Sequence, residues 1–429
     1  MEQVLILSYF YPPCNLTAGQ RVKGWTDFLN ESGFQPLVVT RNWDLEINSP
    51  EDVLKSTGDS IKIVSTDTFK VFYLPYKSGF RDRFYIRFKG SRVQKLSKIL
   101  TFFELFMENF STRFIPHRNL YVYSRKLLKE NPEIKKVIIT ANPFNLFYFG
   151  YLLKCEFDIE WIADYRDDWN TSEIVHRSKS GVLAFIQHLQ RKSEKKWLSN
   201  SKYITSVSPV YAEKISNYVN KKGYVILNGY EVDIEKKVQS LNSNKFILTY
   251  TGTLYQSQPI EEFLSVIGEL IILYKNRITI ELHFPGLSFD ESQTKRVQHL
   301  TYNYKENVFI TNRISKKDVL NIQKTSDILI MISHKGIKGV PSSKLYEYIG
   351  IEKPILLFPN DNDIINETLI NLNLGIICDS EKEIFKKLTN LIDLKMQGKP
   401  LLGKIDNNKI KNHSRQNQTK VLAKLLGSF

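Results

Sequence analysis

Cysteine is scarce in this chain: Cys14, Cys155 and Cys378 lie far apart and form no Cys-x-x-Cys pair. A disulfide framework and a thiolate zinc site are therefore not encoded, and a reducing cytosol fits. The seven histidines show no His-x-x-x-His spacing, which removes the usual helical zinc site as well. No apolar run reaches the ~20 residues that span a bilayer. The opening residues 1–7 carry no basic stretch ahead of their short apolar run, so they read as a first strand and not as a signal peptide. Triplets such as Asn109-Phe110-Ser111 would accept glycans only in a secretory pathway, for which there is no signal. A Gly-x-Gly-x-x-Gly fingerprint is also missing, which disfavours a nicotinamide or flavin dinucleotide enzyme.

What is present is a chain of 429 residues, 42% apolar and 24% charged, enough for two domains with full cores. The net charge of +15 is uneven: residues 77–130 hold thirteen Lys/Arg against four Asp/Glu. A surface of that kind attracts nucleic acid, an anionic membrane or an anionic substrate. The aromatic-basic repeats and recognition-helix motifs of nucleic-acid binders are missing, so nucleic acid is not an expected partner. Leu96, Ile99, Leu100, Phe103, Phe106 and Met107 recur at helical spacing beside Arg92, Lys95 and Lys98. Two readings stand: a helix lying on a membrane surface, or a core-packed helix with a solvated basic face.

Short β-branched or aromatic runs alternate with amphipathic stretches from end to end, the pattern of parallel sheets built from βαβ units. Strands are expected at 4–8, 36–40, 71–74, 137–140, 159–163, 203–207 and 225–227 in the first half. In the second they fall at 246–251, 279–284, 308–311, 327–333, 354–358 and 375–378. Asn228-Gly229 is a turn signal and the polar stretch after it lacks a clear strand, which places the domain boundary there.

The most informative stretch is 339–356. A buried strand at 327–332 is followed by a loop and by a helix opening at Ser342, Ser343 and Lys344. Ligands of open α/β sheets bind at such carboxyl ends. Lys344 has the wrong sign for a helix N-terminus unless an anion sits there, and Glu347 shares its face, placed to accept hydrogen bonds from a ribose diol. The plain alternative is a surface Lys–Glu pair. At another strand end, residues 161–169 gather Asp164, Arg166, Asp167 and Asp168 among aromatics, and charges there need partners or water. They form either a site or a structural network around Arg166. After the first strand, Pro12 and Pro13 end it, Gly19 permits close backbone approach, and Arg21 opens the next helix where an anion fits. Gly252 makes a turn of the kind that approaches phosphate.

The stretch SSKLYEYIGIEKPIL at 342–356 resembles the C-terminal donor-binding motif of family-4-like glycosyltransferases of the GT-B fold. The resemblance implies that Glu347 holds the donor ribose; the motif's first glutamate, which touches the sugar, falls on Gly339, and a family glycine falls on Ser342. ADYRDDW at 163–169 is similar to the DFRDPW-type motif of a subgroup, and 140–144 to that subgroup's small-residue and proline loop. The histidine that many relatives place near Arg166 is absent, which sets a His-based mechanism aside. Residues 9–21 resemble the family's opening, implying donor or acceptor contact near Gly19 and Arg21. Relatives often carry an arginine and a lysine for the diphosphate after the glycine matched by Gly252, yet 253–263 holds neither. The resemblance leaves that charge to Lys344, Arg21, Arg166, backbone N–H groups or, less favoured, a metal. Asn312 and Arg313 fall where the family's backbone reads the nucleobase.

The implied fold is α/β, with two Rossmann-like doubly wound parallel-sheet domains facing a cleft. Residues 1–229 form the acceptor side with a basic insert at about 77–125, residues 230–400 form the sugar-nucleotide side, and the tail 401–429 ends in a helix that crosses back. The implied activity is transfer, with retention, of a sugar from a nucleoside-diphosphate sugar to a lipid-linked or polysaccharide acceptor in cell-surface polysaccharide biosynthesis. No cofactor or metal is expected, and the insert would hold the enzyme to the inner face of the membrane. Lys344 and Arg166 are the candidates for charge on the departing diphosphate, and Asp164 or Asp167 for orienting the acceptor hydroxyl or donor sugar. Ser342, Ser343, Gly252, Asn312, Arg313, Gly19 and Arg21 would complete the donor site. The rival readings are a GT-B sugar-nucleotide epimerase, a basic nucleic-acid- or membrane-binding protein, and a non-catalytic scaffold.

Overall fold

The computed structural model describes residues 1–172, 181–231, 244–338, 340 and 342–429, with all side chains in them except those of 182 and 183. Gly339 and most of the polar stretch after Asn228-Gly229 lie outside these residues. The chain divides into two compact units, Met1–Asn228 with Arg415–Phe429 and Gly229–Ser414. The expected tail is thus split: residues 401–414 stay with the second unit and only the final helix, Arg415–Leu426, belongs to the first.

The first unit is built on eight strands: β1 (Glu2–Ser8), β2 (Phe34–Arg41), β3 (Lys62–Ser65), β4 (Lys70–Leu74), β5 (Lys136–Ala141), β6 (Glu160–Tyr165), β7 (Tyr203–Ser206) and β8 (Gly223–Val225). Their order is β3-β4-β2-β1-β5-β6-β7-β8, parallel throughout except for β3 against β4. The seven expected strands all appear within two residues or so of their expected limits. β3 was not expected, because an exposed edge strand that opens on a lysine shows no apolar run. The central strands hold unbroken apolar runs, Val4–Leu7 in β1 and Val137–Ile139 in β5, because helices cover both faces. Val4, Ile6, Val38, Ile138 and Ile162 form one face and pack with Val22 and Trp25 of α1 (Gln20–Phe28) and with Leu422, Leu425 and Leu426 of the final helix. Leu5, Leu7, Val137 and Ile139, equally buried, alternate onto the other face. Gly24 brings the final helix close: a Cβ there would stand 3.1 Å from the Arg415 side chain.

The basic insert folds as α2 (Phe80–Arg87) and α3 (Ser97–Glu108). α3 leaves part of its apolar stripe in solvent. Leu96, just before it, and Ile99 and Phe103 within it are 51%, 64% and 53% exposed, whereas Glu104 packs inward against Arg81 of α2, Nε to Oε2 3.1 Å. Leu100, Phe106 and Met107 of the same stripe are half-buried, so the stripe is divided between packing and solvent.

The second unit holds β9 (Lys245–Thr249), β10 (Thr279–Phe284), β11 (Val308–Ile310), β12 (Ile328–Ile332), β13 (Ile355–Phe358) and β14 (Gly375–Ile377). All six are expected strands. They are parallel, in the order β11-β10-β9-β12-β13-β14. One continuous core runs from Phe246 and Leu248 through Ile330 and Leu356 to Leu388.

One buried ion pair ties the carboxyl end of the first sheet. Asp164, at the end of β6 and wholly buried, accepts from Arg21 Nε at 3.0 Å and Nη2 at 2.8 Å, from the Thr140 hydroxyl at 2.8 Å and from the Thr205 hydroxyl at 2.7 Å. Arg21 also donates through Nη1 to the carbonyls of Ile226 at 2.7 Å and Leu227 at 3.1 Å. Removing one partner leaves the other charge buried and uncompensated. Arg21→Met should cost about 3–5 kcal/mol, read from the urea midpoint, and Arg21→Met with Asp164→Leu should recover most of it. A single mutant as stable as wild type would show that the pair does not hold this end of the sheet.

Candidate functional site

In the second unit the strand order reverses between β9 and β12, so the loops leaving these two strands border the switch point at the carboxyl edge, where open α/β sheets place their ligand crevice. The crevice walls are pinned together. Ser257 Oγ and His334 Nδ1 share a hydrogen bond of 2.7 Å, and Gln258 donates to the carbonyl of Ile332. After β12 comes the helix Ser343–Ile351. Ser342 caps it in extended conformation, its hydroxyl accepting from Lys344 N at 3.3 Å, so the opening turn presents backbone N–H groups and positive dipole charge to the crevice.

Lys344 projects from that turn across to the loop after β9. Its Nζ donates to the Tyr250 hydroxyl at 2.6 Å and to the Thr253 carbonyl at 2.8 Å, and lies 3.9 Å from the centre of the Tyr250 ring. Gly252, at φ +76°, lies below: a Cβ there would meet Lys344 Cε at 3.7 Å. No carboxylate among the described residues forms an ion pair with Lys344. Burial pulls its ammonium down to about 7, and the Glu347 carboxylate one turn on works in the other direction. Burial, then the Lys344 charge, also lowers His334. The floor is rigid, with Thr251 N and Oγ1 meeting the buried Tyr348 hydroxyl at 3.0 and 2.6 Å and Gln323 donating to Thr251 at 3.1 Å. Glu347 is half-buried on the same helix, as is Ser343. Gly286, at φ +85°, brings the loop after β10 to within van der Waals contact of Gly252. Asn312 and Arg313 follow β11, the Arg313 guanidinium lying 4.8 Å over the Phe289 ring.

The family model described as glycosyl transferases group 1 matches residues 231–412, nearly all of this unit. The second unit is a group 1 glycosyl transferase domain, and the chain is a glycosyltransferase. Among solved structures, sucrose-phosphate synthase from Thermosynechococcus elongatus is similar at TM-score 0.67 and 12% identity, covering 100% of this chain and 99% of that one. A glycosyltransferase from Rickettsia africae gives 0.63 and 13%, over 99% and 98%. The α,α-trehalose 6-phosphate synthase from Burkholderia multivorans gives 0.64 and 10%, over 100% and 99%. At such identities the likeness is one of fold, and the fold is GT-B. No curated protein sequence matches the chain.

The transferase brings Ser342, Ser343, Lys344, Glu347 and Gly252 together at one crevice. Two expectations for the first unit are corrected by geometry. Arg21 does not wait for an anion and Asp164 does not reach a substrate hydroxyl, because each is buried and committed to the other. Gly19 makes its close approach to the backbone of Tyr11 in its own loop, 3.1 Å from a built Cβ. Arg166 and Asp167 pair side by side, Nη2 to Oδ2 2.9 Å, half-buried and exposed respectively. Tyr250, Thr253 and Gly286 carry the crevice yet had no assigned role; the usable signal was an aromatic two residues before a glycine at a strand end. Among the described residues no group of three or more His, Cys, Asp or Glu side chains gathers as metal ligands do.

The lowered Lys344 has a consequence for stability. In the unfolded chain the amine titrates near 10.4, so the folded state bears a cost below pH ~7 that is released progressively as pH rises toward 10. Lys344→Met should therefore raise the melting temperature by a few degrees at pH 6–7, with the gap narrowing by pH 9–10. A gap that widens with pH would contradict the lowered ammonium.

Proposed function

We propose that the enzyme moves a sugar, with retention, from a nucleoside-diphosphate sugar to a lipid-linked or saccharide acceptor in cell-surface polysaccharide biosynthesis. The observation that carries the donor half is the Lys344 ammonium, held at a helix N-terminus by a phenol and a carbonyl and by no carboxylate among the described residues. A diphosphate entering the crevice would meet that charge, the N–H groups of the opening turn and the backbone at Gly252. Glu347, a turn further along, would accept from the ribose hydroxyls, and the backbone at Asn312 and Arg313 would border the base. Bond cleavage concentrates negative charge on the departing diphosphate, so charge fixed at that point lowers the barrier more than it tightens ground-state binding. In the first unit, the exposed Asp167 with its partner Arg166 keeps the role of orienting a substrate hydroxyl. The sugar nucleotide is substrate, and no cofactor enters this scheme.

The membrane half rests on the insert. No helix among the described residues is long and apolar enough to cross a bilayer. Ile99 and Phe103 nonetheless face solvent beside the exposed Arg92, Lys95 and Lys98, and Phe80 and Phe110 are exposed nearby in sequence. Apolar side chains set among cations suit the inner, anionic face of a membrane, where each basic residue contributes about 1 kcal/mol. Attachment there would serve a lipid-linked acceptor.

Thermal protection by a panel of nucleoside diphosphates and their sugars should identify the donor. Glu347→Ala should then weaken that nucleotide about tenfold to a hundredfold by calorimetry, the loss of charged hydrogen bonds worth about 1.5–3 kcal/mol, while the protein stays folded. Unchanged affinity would remove the ribose role. Incubation of donor without acceptor separates an epimerase, which would convert it.

Flotation with liposomes should show binding to anionic but not neutral vesicles at low salt, declining as salt rises. Changing Arg92, Lys95 and Lys98 to glutamate should abolish it. Binding that ignores the triple change would assign the exposed stripe to something other than a membrane.

A further inference from the structure

The first unit holds a cavity of about 370 Å³, within the size range of small-ligand sites. It opens at the carboxyl edge of β1 and β5, where the strand order of this sheet also reverses. Its lining comes partly from the loops after those strands and partly from α2 and α3, the insert that lies outside the family resemblance.

Two features decide its chemistry. One wall is aromatic: Phe144 lies flat on Trp169, 4.9 Å between centres and 3° between planes, and Trp169 stands 6.0 Å from Trp197 at 20°. The face of an aromatic ring is electron-rich; it packs against C–H groups and disfavours anionic oxygens. The other wall is acidic, with Asp82, Glu104 and Glu108. Its one arginine is committed, Arg81 Nη2 lying 2.5 Å from Asp82 Oδ1 and Nε 3.1 Å from Glu104 Oε2. Tyr76 donates to the second oxygen of Asp82 at 3.0 Å. His117 is no cation either: its Nε2 meets Asn145 Oδ1 at 2.8 Å, and burial holds the ring down to about 4. Arg41, behind the Tyr9 and Tyr76 rings, directs its N–H groups to the Thr57 and Tyr9 hydroxyls and to the carbonyls of Val53 and Lys55. Among the described lining residues no cation remains for a phosphate. The carboxylates and the amides Asn109 and Asn145 are hydroxyl-binding groups.

We propose that this cavity binds an uncharged glycosyl group of the acceptor, its C–H face toward the Phe144–Trp169–Trp197 wall and its hydroxyls toward Glu108 and its neighbours, and that it discriminates against phosphorylated sugars. The inference rests on the glycosyltransferase reading and sharpens its acceptor. Burial, with the Glu104 carboxylate adding to it against a hydrogen bond from Asn145, pushes Glu108 up to about 7, so this carboxyl both donates to and accepts from a hydroxyl near neutrality.

The test uses the full chain and saturation-transfer NMR with methyl glycosides of glucose, galactose, mannose and N-acetylglucosamine, each beside its 6-phosphate at low ionic strength. At least one neutral glycoside should bind, with its phosphate weaker by about tenfold or more. Trp169→Ala should abolish binding of the neutral sugar. The isosteric Glu108→Gln, informative even where Trp169→Ala does not fold, should narrow the discrimination against phosphate. A phosphate that binds as well as its parent, binding indifferent to both substitutions, or no binding by any glycoside would overturn the proposal. Nucleoside diphosphate titration on the same preparations reports the second unit separately. No sugar binding by the unsubstituted chain with its nucleotide binding intact would count against this cavity alone.

Discussion

The carboxyl end of the first sheet depends on one buried charge being met. Asp164 ends β6 with no access to water, and an ionised carboxylate in that position is tolerable only with a cation and hydrogen bonds on its remaining lone pairs. Arg21 supplies the cation, Thr140 and Thr205 the rest, and the same guanidinium closes on the carbonyls of Ile226 and Leu227. Four separate pieces of chain, α1, β5, β6 and β7, are held in one register by a single group, and the segment after β8 joins them. The final helix adds a further tie through Gln418, which accepts from Leu227 N at 2.9 Å. Arg166 stands two residues beyond Asp164, Trp169 five beyond it and Phe144 four beyond Thr140, so the loops that carry them start from this clamp.

The second unit repeats the βαβ plan and treats its cation differently. Arg21 is neutralised by a carboxylate and fully used, whereas Lys344 finds a phenol, a carbonyl and an aromatic face. Those partners orient an ammonium without cancelling its charge. A structural ion pair contributes by being complete; a site contributes by leaving something for the ligand to complete. The difference in partners, more than the presence of a basic residue at a strand end, separates the structural cation from the functional candidate.

This distinction also marks what the sequence could reveal. Apolar runs and their spacing located thirteen of the fourteen strands among the described residues, because burial on both faces of a parallel sheet leaves a local imprint. The polar edge strand β3 leaves none. Lys344 and Glu347 were legible because both lie within one turn of one helix, so a single short motif contains their geometry. Arg21 and Asp164 are separated by 143 positions, and each alone has the appearance of a group awaiting a ligand. Only their contact shows that neither is. The cavity of the first unit was invisible for the same reason, its lining being drawn from Tyr9 through Trp197.

Helix α3 shows how one pattern can serve two surfaces. Its apolar residues recur at helical spacing, which ordinarily predicts that they face the core. Here Ile99 and Phe103 face outward, Leu100, Phe106 and Met107 are half-buried, and Glu104 and Glu108 line the cavity beside Leu105. An acidic inner face is sustainable because α2 brings Arg81 against Glu104 and because the cavity gives Glu108 polar neighbours. An apolar outer face set among Arg92, Lys95 and Lys98 costs solvation in water and loses that cost at an anionic interface. Both faces of this helix can thus meet polar or amphipathic partners. The partners proposed above, a sugar on one side and a lipid surface on the other, would each match the face they meet, and together they have the chemistry of a lipid-linked saccharide.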